Sequence, residues 1–257
     1  MIDIHSHVLP GIDDGAKNKE ISKRLLELAK ESGTTDIIAT PHTLSASAYE
    51  KPKWSTIETL VKECQQEGLT IHPGAELEVN WDINELIKKD SFEYCLANSN
   101  YLLAELPSQM IPNYVDDFFY QLQMKGKIVI IAHPERHPVL QKNPNVLYNW
   151  VKKGILLQCN AGSFKGVFGP SSKHFALELL NHDLLHFIGS DAHNLKNRNT
   201  NMTRAREIIK DVIGEKKTKA LFEINPRFIL ENKEFNIIEP KPFVVKKKSF
   251  FQRLFGK

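Results

Sequence analysis

Short apolar runs alternate with longer amphipathic stretches along most of the chain. Seven of the runs are rich in aliphatic residues and predict buried β-strands. These predicted strands are Ile2–Ile4, Asp36–Ala39, Thr70–Ala75, Tyr101–Glu105, Ile128–Ala132, Ile155–Cys159 and Leu185–Gly189. The remaining stretches carry apolar residues at helical spacing. They predict helices over Lys19–Ser32, Trp54–Glu67, Asn113–Lys125, Asn145–Lys153, Ser172–Asn181, Met202–Ile213 and Lys216–Phe222.

Strands that alternate with helices in this way are typical of a parallel sheet covered by helices. The chain of 257 residues fits one large α/β domain, and a parallel series of this length closes most simply into a TIM-like (β/α)7 barrel. An open, doubly wound sheet is the alternative, but the sequence contains neither G-x-G-x-x-G nor G-x-x-x-x-G-K-[ST]. We therefore predict a barrel domain over residues 1–239 and a tail over residues 240–257.

Composition limits the class of protein. Apolar residues make up 41% of the chain and charged residues 25%, as in soluble globular domains. The longest apolar run, Ile128–Ala132, is too short to cross a bilayer. The first ten residues lack Lys and Arg, unlike a signal peptide. Three cysteines without C-x-x-C spacing indicate a reducing compartment, so we expect the protein in the cytoplasm.

The net charge of +3 is unevenly distributed along the chain. The segment Lys241–Lys257 contains five Lys, one Arg and no acidic residue, and the rest of the chain has 28 basic and 31 acidic residues. The body therefore has no overall basic character, which argues against nucleic acid as a partner.

Histidine and acidic side chains collect where the predicted strands end, which is the face on which barrel enzymes carry their chemistry. Eight residues fall at these ends and a ninth, Asp14, lies in the first long loop. The eight are His5, His7, His42, Glu76, Glu105, His133, Asp191 and His193. Because residues i and i+2 of an extended chain face the same side, each H-x-H or D-x-H pair points both side chains into one space.

Five imidazoles and four carboxylates are too many ligands for one ion and suit two or three divalent cations. A donor set without thiolate fits Mn, Fe, Zn, Co or Mg. Clustered ions of this kind activate water or neutralise a phosphoryl group. Two arginines accompany the set, Arg136 at three residues after His133 and Arg198 at seven residues after Asp191. Their forked guanidinium groups suit a phosphomonoester, although an ion pair with a loop carboxylate is the commoner role of an arginine.

The motifs D-I-H-S-H, A-T-P-H, G-x-E, A-H-P-E-R and S-D-A-H occur in this order. With them the chain resembles the polymerase and histidinol phosphatase (PHP) family of metal-dependent phosphoesterases. It is most similar to the manganese-dependent tyrosine-protein phosphatases encoded with capsule and exopolysaccharide genes in Gram-positive bacteria. The closer similarity lies in IDDG at 12–15, LPSQMIPNY at 106–114, AHPERH at 132–137, NAGSFKGVFG at 160–169, and SDAHN at 190–194 with Arg198.

The resemblance implies a distorted PHP-type barrel that holds three divalent ions, with manganese expected and Fe, Co, Zn or Mg as alternatives. One ion would bind His5, His7, Glu76 and Asp191, and a second would bind Asp14, His42 and His193. The third would bind Glu105 and His133 and share Glu76 with the first. Motif alignment selects Asp14 rather than its neighbour Asp13.

The implied function is hydrolysis of phosphotyrosine on a membrane-associated bacterial tyrosine kinase, which would regulate capsule or exopolysaccharide synthesis. Arg136 and Arg198 would be the catalytic phosphate-binding residues. Alternatives are a small-molecule phosphatase of the histidinol-phosphatase type, a nuclease, and a non-catalytic regulator that binds phosphotyrosine or the kinase. Metal-dependent amidohydrolysis is disfavoured by the paired arginines and by the lack of a strand-borne lysine.

A thiol-dependent phosphatase is excluded by spacing, because such enzymes need C-x5-R. The residues six positions after the three cysteines are Thr70, Tyr101 and Lys165. The tail over residues 241–257 mixes Lys with Phe and Leu. It is either a frayed, solubilising end or a weak contact to an anionic membrane surface at the inner face of the membrane.

Overall fold

The computed structural model describes residues 1–43 and 51–243. In this part of the chain eight strands pair only in parallel, and ten α-helices lie between and after them. The strands are β1 Ile2–Ser6, β2 Asp36–Ala39, β3 Thr70–Pro73, β4 Glu76–Glu78, β5 Tyr101–Glu105, β6 Ile128–Ala132, β7 Leu156–Asn160 and β8 Phe187–Gly189. The helices are α1 Lys19–Glu31, α2 Trp54–Glu63, α3 Trp81–Leu86, α4 Val115–Met124, α5 Pro138–Lys142, α6 Asn145–Lys152, α7 Ala161–Phe164, α8 Gly169–Asn181, α9 Thr203–Lys219 and α10 Asn225–Leu230.

The strands form two sheets, one in the order β1-β2-β3 and the other in the order β4-β5-β6-β7-β8. Backbone hydrogen bonds also connect the sheets at their edges. The amide of Asp191 donates to the carbonyl of His5 (2.8 Å), and the amide of His7 donates to the carbonyl of Ala192 (3.0 Å). At the other edge the amide of Thr43 donates to the carbonyl of Glu76 (3.0 Å). The ends of β1, β2 and β8 therefore meet beside the start of β4.

The prediction of one continuous third strand over Thr70–Ala75 is wrong. β3 pairs with β2, whereas β4 begins at Glu76 and pairs with β5, so the chain changes sheets between them. A Cβ added at Gly74 would lie 2.8 Å from Cγ2 of Ile38, so only glycine fits at this crossing. The described residues accordingly form one strand more than the seven predicted, and Glu76 opens β4 instead of closing the third strand.

Helix predictions hold for the longer elements and fail for the short ones. α3, α5, α7 and α10 were not predicted, because four to six residues give too little apolar periodicity to recognise. Met202–Ile213 and Lys216–Phe222 were predicted as separate helices. The chain does break between them at Gly214, whose φ of +79° and ψ of 164° are not helical, so α9 consists of two helical parts. The second part continues through a π-helical turn at Ala220–Ile224.

An inner apolar cluster supports the carboxyl ends of the strands. Alternate strand residues such as Tyr101, Leu103, Ile130 and Leu156 pack together there and are buried. The intervening strand residues face the helices, whose apolar sides form the larger outer core. Continuing the same alternation, Glu105 follows Leu103, and Gln158 follows Leu156. The apolar inner side of these strands thus becomes polar at their carboxyl ends.

The described chain ends against the body of the protein. The ring of Phe243 stacks on His182 with centroids 3.9 Å apart, and its backbone exchanges hydrogen bonds with the side chain of Asn145. Residues 244–257, most of the predicted basic tail, lie outside the described residues. Among the residues that the structure describes, no helix is both long enough and apolar enough to cross a membrane.

Candidate metal centre

The two N-terminal histidines lie side by side in the interior, both almost fully buried. Nε2 of His5 and Nε2 of His7 are 3.2 Å apart. Oε2 of Glu76 lies 3.2 Å from the first nitrogen and 3.3 Å from the second. Oδ1 of Asp191 lies 3.6 Å from each of them. Four donor atoms from three parts of the chain therefore surround one small space.

Hydrogen bonds on the opposite side of each ring fix the orientation of these histidines. Nδ1 of His5 lies 2.9 Å from Oε1 of Gln158, and Nδ1 of His7 lies 2.7 Å from Oδ2 of Asp13. A carbonyl or carboxylate oxygen accepts from the Nδ1–H tautomer, which leaves the lone pair of Nε2 directed into the cluster. Asp13 also accepts hydrogen bonds from the amides of Gly15 and His42.

The aspartate pair at 13–14 is divided between two roles. Asp13 is buried and orients His7, as described above. Oδ1 of Asp14 lies 3.3 Å from Nε2 of His193 and 3.6 Å from Nε2 of His42. The loop reaches this position because it folds directly onto His7: a Cβ added at Gly15 would lie 2.2 Å from the carbonyl oxygen of His7.

Glu76 lies between two groups of side chains. Besides its contacts with the N-terminal histidines, its Oε2 is 3.2 Å from Nδ1 of His42. Its Oε1 is 2.9 Å from Nε2 of His133, and that nitrogen is 3.6 Å from Oε1 of Glu105. Oε2 of Glu105 is in turn 3.8 Å from Nδ1 of His42. All nine side chains predicted as metal ligands are therefore brought together.

Two of these residues have unusual backbone conformations. His133 has φ of +33° and Asp191 has φ of +50°, both in the left-handed region that non-glycine residues rarely adopt. Each follows the end of a strand, at β6 and β8 respectively. Conformations of this kind collect at functional sites, where the surrounding structure holds a side chain in a required direction.

Both predicted arginines bind the same carboxylate. Nη1 of Arg136 lies 3.0 Å from Oδ2 of Asp191, and Nη2 of Arg198 lies 2.8 Å from Oδ1. Nδ2 of Asn160 donates to Oδ2 as well (2.6 Å). The arginine side chains keep 31% and 25% of their exposure, respectively, so they form the boundary between the buried cluster and solvent.

The charges in the cluster shift its pKa values strongly. Burial raises the pKa of Glu76, but the imidazoles of His5 and His42 outweigh burial and hold it well below its usual range. Burial and the charge of Glu76 raise the pKa of Glu105 to about 7. Burial opposes the charged form of His133, yet its contact with Glu76 raises its pKa to about 9. The carboxylates of this space thus attract positive charge.

The donor geometry fits bound cations. Ligand atoms that share an ion at about 2.0–2.1 Å lie about 3.0–3.4 Å from one another, close to the separations above. Nδ1 of His42 and Oε2 of Glu76 are buried and have no hydrogen-bond partner among the described residues, as expected for metal-ligating atoms. Three overlapping groups have donor atoms within 4.8 Å of one another. They are His7, Asp14, His42 and His193; His5, His7 and Glu76; and His42, Glu76 and Glu105.

Several residues that support the site did not stand out in the sequence. Gln158 and Asn160 belong to β7, where two polar residues at spacing i, i+2 in a buried strand were the available signal. Glu135 is fully buried, and its Oε1 accepts hydrogen bonds from the amide of Asn160 (2.9 Å) and the hydroxyl of Ser163 (2.6 Å). Its place in the motif A-H-P-E-R, next to Arg136, is the signal that the sequence offers for it.

The fold and the cluster define a class: an α/β protein with a buried cluster of imidazoles and carboxylates that fits metal ions and faces solvent through two arginines. Comparison with known proteins is more specific. The chain belongs to the capsular polysaccharide synthesis family CpsB/CapC, whose family model matches residues 1–231.

Individual relatives agree with this assignment. The chain is 35% identical over 255 residues to the tyrosine-protein phosphatase YwqE of Bacillus subtilis, covering 98% of this chain and 99% of the relative. It superimposes with a TM-score of 0.89 and 33% identity on a crystal structure from work on YwqE and on CpsB of Streptococcus pneumoniae, described there as unique metal-dependent tyrosine phosphatases. The match covers 95% of this chain and 100% of that one. A histidinol phosphate phosphatase from Lactococcus lactis shares the fold (TM-score 0.54, 15% identity, 83% and 94% coverage).

Proposed function

We propose that this protein is a metal-dependent protein-tyrosine phosphatase. One observation carries the proposal: Oε2 of Glu76 lies within 3.3 Å of three imidazole nitrogens without accepting a hydrogen bond, and two arginines stand beside this cluster. The donor set favours divalent cations, and the arginines favour an anionic substrate. The relatives named as tyrosine-protein phosphatases supply the substrate class.

The nine clustered side chains would hold the ions. We assign His5, His7, Glu76 and Asp191 to one, Asp14, His42 and His193 to a second, and Glu105, His133 and the shared Glu76 to a third. Three ions, with manganese as the expected metal, suit this set of imidazoles and carboxylates. Divalent ions in such a site polarise the phosphoryl group and make a water-derived nucleophile available near neutral pH.

The two arginines would bind the phosphoryl oxygens. Each contacts Asp191 through one terminal nitrogen, which leaves its other terminal nitrogen to bind a phosphate at the solvent boundary. Fixed positive charge at this place neutralises the charge that develops in the transition state. The departing tyrosyl oxygen has a pKa of about 10, so it needs less protonation than an alkyl alcohol.

The cysteines are unsuited to thiol-dependent catalysis, which supports metal-dependent hydrolysis. Cys95 and Cys159 are buried, and burial raises the pKa of the Cys95 thiol to about 11 and that of Cys159 well above its usual value. Burial also raises the pKa of Cys64. Thiols kept protonated in this way are poor nucleophiles.

The space around the site suits a protein substrate. A groove of about 550 Å³ opens beside Asp14, His193 and Arg198, and a smaller one of about 140 Å³ opens beside Glu105 and Arg136. Openings on both sides leave room for polypeptide flanking a phosphotyrosine. We propose a membrane-associated bacterial tyrosine kinase as the substrate, with capsule or exopolysaccharide synthesis as the regulated process.

The two sheets fit a single closed arrangement of strands. The edge hydrogen bonds between the two sheets and the fold shared with the histidinol phosphatase support a distorted PHP-type barrel over residues 1–239. The cytoplasmic location and the weak membrane contact of the tail stay predictions.

Turnover of matched substrates tests the function. The metal-loaded protein should hydrolyse a phosphotyrosyl peptide faster than the corresponding phosphoseryl peptide or histidinol phosphate. A chelator should abolish activity, added Mn²⁺ should restore it, and thiol alkylation should leave it largely intact. Faster turnover of histidinol phosphate would identify a small-molecule phosphatase, and peptide binding without hydrolysis would identify a regulator. Elemental analysis of the same preparation gives the metal and its stoichiometry.

A further inference from the structure

Both arginines of the site contact one aromatic ring. The guanidinium carbon of Arg136 lies 4.4 Å from the ring centroid of Phe168, and that of Arg198 lies 5.6 Å from it. These side chains come from three separate segments, and the two arginines also share the carboxylate of Asp191. Phe168 belongs to NAGSFKGVFG, which begins with Asn160, a hydrogen-bond donor to Asp191.

The ring is held in place from behind. A Cβ added at Gly162 would lie 2.9 Å from Cε2 of Phe168, so the ring packs directly on the backbone of α7. That helix is anchored by the hydrogen bond from Ser163 to Glu135, the residue next to Arg136. α8 begins directly after Phe168. The ring therefore has a fixed position relative to the turn that carries Arg136.

An aromatic ring in this position favours ordered guanidinium groups. Arginine stacks on aromatic faces while its nitrogens stay free to donate in the plane of the group. Each arginine has only one terminal nitrogen on Asp191, and Nε of Arg198 is buried without a hydrogen-bond partner among the described residues. Hydrogen bonds alone thus leave these side chains incompletely fixed, and the ring supplies the missing contact.

We propose that Phe168 is a positioning residue that holds the guanidinium groups of Arg136 and Arg198 together for one phosphoryl group. The proposal rests on the function proposed above for these arginines. Without the ring the two guanidinium groups would have to be ordered when phosphate binds, and at the typical strength of two cation–π contacts this should weaken phosphate binding about 10-fold.

The test compares three variants at two positions. Phe168→Leu removes the aromatic face, and Phe168→Tyr retains it. Phe164→Leu is the matched control, because Phe164 is buried in the outer core of the same segment. The dissociation constant of inorganic phosphate, measured by calorimetry on the metal-loaded proteins, is the readout that does not depend on turnover. We expect it to rise about 10-fold in Phe168→Leu and to stay near wild type in Phe168→Tyr and Phe164→Leu.

Kinetics on a phosphotyrosyl peptide extend the test. Phe168→Leu should lower kcat/KM by the same factor as phosphate affinity, and it should have no further effect in an Arg136→Ala, Arg198→Ala background. An equal loss in that background, or an equal loss in Phe164→Leu, would show a general structural role and overturn the proposal. Lower turnover with unchanged phosphate affinity would also overturn it and place the ring against the tyrosyl group. If the wild-type protein is inactive but its phosphate affinity still falls in Phe168→Leu, the phosphatase function is refuted and the positioning role of Phe168 is not.

Discussion

Two buried histidines at opposite ends of the strands show how different their surroundings can be. His186 precedes β8 and packs against Phe187 and Phe235, and its Nδ1 accepts the amide hydrogen of Leu157. His133 follows β6 and contacts Glu76 and Glu105. Burial lowers the pKa of His186 to about 3, whereas the carboxylates around His133 overcome burial and raise its pKa to about 9.

The difference shows that burial does not identify a functional histidine, because both residues are buried to a similar degree. What separates the two ends of the sheet is the density of carboxylates. At the amino end an apolar shell keeps the imidazole neutral. At the carboxyl end four acidic side chains share a space with five imidazoles, an arrangement that favours positive charge.

Removing the carboxylate of Glu76 should have the largest effect on metal content and activity. Glu76→Gln keeps the size of the side chain but removes the charge that contacts four of the histidines. We expect metal content to fall and phosphotyrosyl turnover to drop by more than about 100-fold, the upper range for substitutions of residues that only support ligands. Elemental analysis and peptide hydrolysis measure the two quantities.

Glu78→Gln is the matched control, since Glu78 lies two residues along the same strand and is outside the cluster. It should keep both metal and activity close to wild type. Full metal occupancy in Glu76→Gln would contradict the assignment of Glu76 as a shared ligand.

The orientation of His7 provides a second, smaller test. Asp13→Asn replaces the carboxylate that accepts from Nδ1 of His7 and leaves every proposed ligand in place. Such supporting residues typically contribute 10–100-fold to metal affinity, so we expect a loss of about that size. Competition with a chelator measures the affinity. An unchanged affinity would mean that Asp13 does not orient His7 for metal binding. Asp14→Asn, by contrast, removes a proposed ligand.

The sequence predicted the clustered side chains better than the residues that hold them in place. Strand-end placement selected eight of the nine side chains, because parallel strands bring their carboxyl ends together whatever the details of packing. The ninth, Asp14, lies in a loop and was selected by its motif alone. The position of Glu76 was wrong by a whole strand, since the change of sheet at Gly74 depends on contact with Ile38, a residue distant in the chain. Gln158, Glu135 and Phe168 act through neighbours that only the folded chain provides.

The burial of neutral His186 at the amino end of the strands can be tested through the pH dependence of protein stability. The folded-state pKa of His186 of about 3 lies below its usual 6.5, so only the unfolded chain takes up a proton as the pH falls below 6.5. The contribution of neutral His186 is therefore present above pH 6.5 and is lost toward acid. Lowering the pH from 7 to 5 should therefore reduce the free energy of unfolding by about 2 kcal/mol through His186. His186→Asn cannot titrate, and its side-chain oxygen can still accept from the amide of Leu157.

Urea unfolding of both proteins at pH 7 and pH 5 measures this difference. Contributions from the metal cluster are common to both proteins and cancel in the comparison. His174→Asn, at an exposed histidine of α8, controls for the loss of one histidine as such and should keep the wild-type dependence. If His186→Asn loses as much stability between the two pH values as wild type, then His186 is protonated in the folded state despite its apolar shell. The two ends of the strands would then differ in metal binding, and burial at the amino end would not lower the pKa of an imidazole.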